Sequence, residues 1–79
     1  MEKYVGYTLE WAHGRLKWAM DALDHIEKHG LIPGDRRPYV LQTDLPAICY
    51  VLGNLADGNP KVCRVREALK KWNLEEMEA

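Results

Sequence analysis

Between Tyr4 and His29, apolar residues recur at seven-residue intervals in more than one register. Leu9, Leu16 and Leu23 form one column; Val5, Ala12, Ala19 and Ile26 form a second beside it. At ~100° per residue the two columns merge into one stripe with Met20 at its edge, the signature of a helix that buries one face. A third column, Tyr4, Trp11, Trp18 and His25, falls on roughly the opposite side. A helix with two apolar faces has more to bury than a single core requires.

The first helix is expected over about residues 3–29, because the columns already include Tyr4 and Val5. Gly6 and Thr8 argue for a later start, with Thr8 as N-cap and Glu10 in the first turn. Gly14 sits between Trp11 and Trp18. It costs roughly 1 kcal/mol relative to Ala and opens a notch on the aromatic side, either for a close packing contact within the fold or for a partner. Gly30 suits a left-handed helix end, with Lys28 and His29 at the negative terminus and Leu31 folding back onto Ile26.

Pro33-Gly34 favours a turn and Pro38 biases Arg37 away from helix, so residues 30–43 read as a long connection. Within it Tyr39-Val40-Leu41 is expected as extended chain laid over the core. The second helix is expected over about 44–56, capped by Thr43 or Asp44 with Pro46 in its first turn. Leu45, Ile48, Cys49, Leu52, Leu55 and Ala56 make its apolar face, and the absence of charge between Asp44 and Asp57 marks it as the most buried of the three. Asn59-Pro60 restarts the chain as N-cap and first helical residue. The third helix then runs to about Glu76, burying Val62, Val65, Ala68, Leu69 and Trp72. The expected fold is all-α: one domain over residues 1–79, with three helices and a long extended loop between helices 1 and 2.

Composition narrows the classes. A chain of 79 residues buries only ~60% of its unfolded surface, so a second chain or a bound partner would add useful stability. With 47% hydrophobic and 29% charged residues it reads as an ordinary soluble globular protein rather than a disordered one. A formal net charge of −1 gives no global pull toward nucleic acid or anionic membrane. Four Tyr, three Trp and no Phe favour side chains that pair an apolar body with a polar handle, the mix enriched at interfaces. No apolar run approaches the ~18 residues of a membrane span and nothing resembles a signal peptide, so no membrane association and a cytoplasmic setting are expected.

Candidate chemistry is sparse. His25 and His29 stand four apart, and with Cys49 and Cys63 they make a formal Cys₂His₂ set. In a hairpin centred near Gly58, however, Cys63 falls opposite Gly53 rather than Cys49, about one helical turn out of step. No metal and no cofactor are expected. No nucleophile motif, phosphate-cradling loop or His-Glu-x-x-His is present, so an enzyme is not expected.

Two surfaces remain. The third helix carries Lys61, Arg64, Arg66, Lys70 and Lys71 against Glu67, followed by three glutamates. Cations at the start and anions at the end oppose the helix dipole. These cations either pair with acids of the first helix, such as Asp21 or Asp24, or form an anion site with Arg36 and Arg37. The hairpin across Ala56–Pro60 also resembles a helix-turn-helix with the third helix as reader. The second surface is the aromatic column. Either the 31–43 loop, with Tyr39 and Leu41, covers it within the monomer, or a second chain does.

The expected function is that of a non-catalytic protein–protein interaction module, a regulator, adaptor or inhibitor, a class that includes virus-encoded antagonists of host systems. Its contact residues are Tyr4, Trp11, Gly14, Arg15, Trp18 and His25, and its partner is a foreign protein, a second copy, or both. The alternatives are a nucleic-acid-binding regulator, or a binder of a small anionic ligand, through Arg36, Arg37, Lys61, Arg64, Lys70 and Lys71.

Overall fold

The computed structural model describes residues 6–74. Among them the chain forms three helices, α1 (Leu9–His29), α2 (Arg37–Leu52) and α3 (Pro60–Lys71), with a 3-10 turn at Gly53–Leu55 and no strand. Each helix packs against the other two. The contacts fix an up-down-up arrangement. Arg15 of α1 meets Asp44 of α2, while Cys49 of α2 meets Arg66 of α3 and Gln42 meets Leu74, just past the end of α3. α1 and α3 therefore run parallel, and Arg64 reaches Asp24 and Glu27.

α1 starts later than about residue 3. Gly6 takes a positive φ of 93°, and Thr8 is extended, with Oγ1 accepting the Trp11 backbone N–H at 3.1 Å. The side-chain cap therefore decides the start, and the columns that pointed earlier rest on Tyr4 and Val5, which lie outside the described residues. The buried residues of α1 are Ala12, Leu16, Ala19, Ala22, Leu23 and Ile26. Set on a wheel of ~100° per residue they centre on Ala12 and Ala19, not on the leucines. Leu9 lies ~80° to one side and remains 54% exposed, so it is not a core residue. Trp11 and Trp18 lie ~80–100° to the other side, which makes them flanks of the stripe rather than its reverse; both pack half-buried against the core.

The loop between helices 1 and 2 is short, seven residues from Gly30 to Arg36, and α2 begins at Arg37 rather than at 44. Tyr39-Val40-Leu41 is helical. Pro38 occupies the first turn, where its missing N–H would have no partner in any case. Arg36 is the N-cap and makes no side-chain cap bond, but Asp35 before it satisfies the first helical N–H: its Oδ1 accepts the Arg37 backbone N–H at 3.1 Å and pairs with the Arg37 guanidinium at 3.0 Å. From there Pro38, Leu41, Leu45, Ile48 and Leu52 repeat at steps of three and four and all are buried. Pro46 thus stands inside α2 rather than in its first turn. Leu55, expected on the apolar face, is 72% exposed, because α2 stops at Gly53 (φ 59°) and the 3-10 turn carries Leu55 off the stripe. Leu31 is also exposed, at 53%.

α3 begins as expected, with the Asn59 side chain accepting the backbone N–H groups of Lys61 and Val62. It ends at Lys71 rather than at about Glu76. Asn73 adopts φ 61°, the Asn73 N–H donates to the Lys70 carbonyl at 3.1 Å, and the Leu74 N–H reaches back to the Leu69 carbonyl at 2.7 Å. This is a Schellman motif with Asn in the left-handed position, and Leu74 closes it by packing on the core. The Gln42 amide donates to the Leu74 carbonyl at 2.9 Å and ties this end to α2. Glu75, Glu76 and Glu78 lie outside the described residues.

Three outcomes test this architecture. Leu41→Ala should cost about 2–5 kcal/mol in a urea melt, whereas Tyr39→Ala, two residues earlier and 58% exposed, should change stability by less than about 0.5 kcal/mol. An extended segment laid over the core would not separate the two so widely. Asn73→Ala should destabilise by about 1 kcal/mol and Asn73→Gly should not, since only the former is strained at positive φ. Finally, the Arg37 backbone N–H, aided by the Arg37 guanidinium, holds the Asp35 carboxyl below its ordinary 3.8 against the opposing effect of burial. A depressed carboxyl stabilises the fold fully above pH 3.8, and that stabilisation is lost as pH falls below it. Melts from pH 7 to 2.5 should therefore show wild type losing stability below pH 3.8 more steeply than Asp35→Asn.

Candidate interaction face

Half-exposed aromatics arise where the stripe of α1 is wider than the ridge of α2 that covers it. Tyr7 precedes the Thr8 cap, and the extended backbone there folds its ring flat onto Trp11, with centroids 4.3 Å apart and 5° between planes. One turn on, the Arg15 guanidinium lies 4.8 Å from the Trp18 ring centroid. Its Nε donates to Asp44 Oδ2 at 2.7 Å, and Nη2 contacts the same oxygen. Arg15 is thus held between an aromatic face and a carboxylate, both partly desolvated. Gly14 is exposed, and a Cβ built on it would meet nothing within 4 Å. The notch opens outward and is not a packing contact among the described residues.

Of the expected contact residues, the fold brings Trp11, Gly14, Arg15 and Trp18 together and adds Tyr7 and Asp44. Tyr4 lies outside the described residues. His25 belongs to the far end of α1, where its ring lies 4.5 Å from that of His29. The loop expected to cover the tryptophans does not exist as such: Leu41 is in the core, Tyr39 is exposed, and α2 reaches this face through Asp44, which pairs with Arg15.

The basic residues are dispersed. Arg64 bridges Asp24 at 2.7 Å and Glu27 at 2.9 Å, and the hydrogen bond to Asp24 contributes most to raising its pKa further. Arg37 is engaged by Asp35, and Arg66 approaches Cys49 Sγ at 3.5 Å and Asp57 at 3.9 Å. Lys70 and Lys71 fall in the last turn of α3, where cations complement the dipole; their conflict with it came from placing the helix end too late. Lys61 shares a cavity of about 440 Å³ with His13 at the N-terminal end of α3, but the Asn59 side chain already takes the N–H groups of Lys61 and Val62. Arg36 and Arg37 stand at the opposite end of the bundle from Lys61, so the six cations form no single cradle. α2 and α3 form an antiparallel pair, touching where Arg66 meets Cys49 and where Gln42 meets Leu74.

Cys63 donates to the Asp57 carbonyl at 3.6 Å, neither cysteine is in a disulfide, and among the described residues no group of three or more His, Cys, Asp or Glu is placed to hold a metal ion. No described helix is long and apolar enough to cross a membrane. Tyr7 and Asp44 escaped sequence reasoning. Tyr7 falls outside the heptad columns, and Asp44 could be matched to Arg15 only once α2 was known to begin at Arg37. No protein-family model, curated protein or solved structure matches this chain.

Proposed function

We propose that the protein is a non-catalytic interaction module that docks on another protein surface through Tyr7, Trp11, Gly14, Arg15 and Trp18. One observation carries the reading: Arg15 is fixed between the Trp18 ring and the Asp44 carboxylate, beside an open glycine notch. Tryptophan, tyrosine and arginine dominate binding hot spots, and an arginine already held in place loses little rotamer entropy when a partner arrives. The Tyr7–Trp11 stack extends the same surface by another ring. A notch bounded by half-buried rings suits a protruding side chain from the partner, whether a second copy or a different protein.

Trp11 and Trp18 also pack on the core, so their truncation would mix folding with binding. Gly14→Gln separates the two. It replaces an exposed mid-helix glycine, has room for its Cβ, and should stabilise the monomer by about 0.5–1 kcal/mol through helix propensity. The same side chain fills the notch. Sedimentation equilibrium of the wild type, together with affinity capture of partners, should show an association that Gly14→Gln weakens at least tenfold while its melting temperature rises. Association that survives Gly14→Gln, or a monomer that retains no protein, would refute the reading.

A further inference from the structure

We infer that His25 and His29 form a two-imidazole site for a late first-row divalent cation of tetragonal geometry, nickel(II) or copper(II). The two residues stand four apart at the C-terminal end of α1, where residues one turn apart share a face. Their ring centroids lie 4.5 Å apart with 42° between the planes. That tilt is neither the offset stack nor the edge-to-face contact in which aromatic rings attract one another. It suits two ligands of one ion, because each imidazole can turn about its metal–nitrogen bond.

The separation selects the metal. A metal–nitrogen bond of ~2.0 Å plus about 1.2 Å from nitrogen to ring centre puts each centroid ~3.2 Å from the ion. Two such arms at ~90°, as on a tetragonal ion, place the centroids ~4.5 Å apart. The ~109° of tetrahedral zinc would require ~5.2 Å. The observed 4.5 Å matches the right angle. Because the rings are already adjacent, closing the chelate costs little side-chain freedom. α1 ends at His29, so the negative end of its dipole lies beside the pair. Exposed Asp21, one turn before His25, offsets the charge of Lys28. No third His, Cys, Asp or Glu among the described residues is placed to join the pair, so water takes the remaining positions. The site lies toward the other end of α1 from the Trp11–Trp18 face and stands or falls independently of that reading.

Nickel chloride titrated into isotopically labelled full-length protein should shift or broaden the backbone amides of His25, Ile26, His29 and Gly30, saturating at one ion per chain. His25→Gln and His29→Gln should each bind nickel at least about tenfold more weakly, since either leaves one imidazole without its chelating partner. His29 is exposed, so the second variant is decisive even where His25→Gln, whose melt is checked, disturbs packing. His13→Gln, near the start of α1, should bind as the wild type does. Zinc at equal concentration should leave most of the nickel in place. Perturbation centred on His13 or Cys63, or single variants that bind as tightly as the wild type, would overturn the proposal. So would a titration that never saturates within the solubility of nickel at neutral pH, or displacement of nickel by an equal concentration of zinc.

Discussion

The bundle depends on the width of the buried stripe of α1. From Ala22 to Leu16 it spans ~120° about the Ala12–Ala19 centre line, more than one neighbouring helix can cover. Two helices must lie on it side by side, and α2 and α3 do so. Alanine at the centre of the stripe leaves room for both to approach, while Leu16, Leu23 and Ile26 fill the space between them. The tryptophans at the flank are a consequence of this arrangement. They are too bulky for the crowded centre and too apolar to face outward fully, so each is half covered.

This geometry explains what was legible in the chain and what was not. The all-helical class, the heptad stripe and the Asn59-Pro60 start of α3 could be read directly, because each is encoded in neighbouring residues. The start of α2 could not. Pro33, Gly34 and Pro38 together resemble a loop, and they masked a three-four repeat that runs unbroken from Pro38 to Leu52. A proline in a first helical turn costs nothing in hydrogen bonds, so the apolar repeat was the stronger signal of the two. The end of α3 carries a weaker signal still: Asn73 takes the left-handed position, and asparagine marks a helix end less strongly than glycine does.

The candidate interaction face was half legible. Heptad spacing singles out Trp11 and Trp18, and Gly14 lies between them in the sequence. Their angular position was misjudged because it was measured from the leucine column, whereas the alanines mark the middle of the buried face. Arg15 illustrates the limit of one-dimensional reading more sharply. Within α1 it lies only ~40° from the buried centre, a place where an unpaired cation would be costly. Only the position of Asp44 across the α1–α2 contact, which depends on where α2 begins, makes it tolerable.

The two connections, each seven residues long, have a kinetic consequence. α1 with α2, and α2 with α3, are neighbours both along the chain and in space, so most native pairings close short loops and forfeit little chain entropy. Only the α1–α3 contact, which includes the clasp of Arg64 on Asp24 and Glu27, must wait for distant segments to meet. Chains of such low contact order reach the native state in microseconds to milliseconds. A nascent copy of this protein therefore exposes its apolar stripe only briefly, which limits its opportunity to aggregate before the bundle closes.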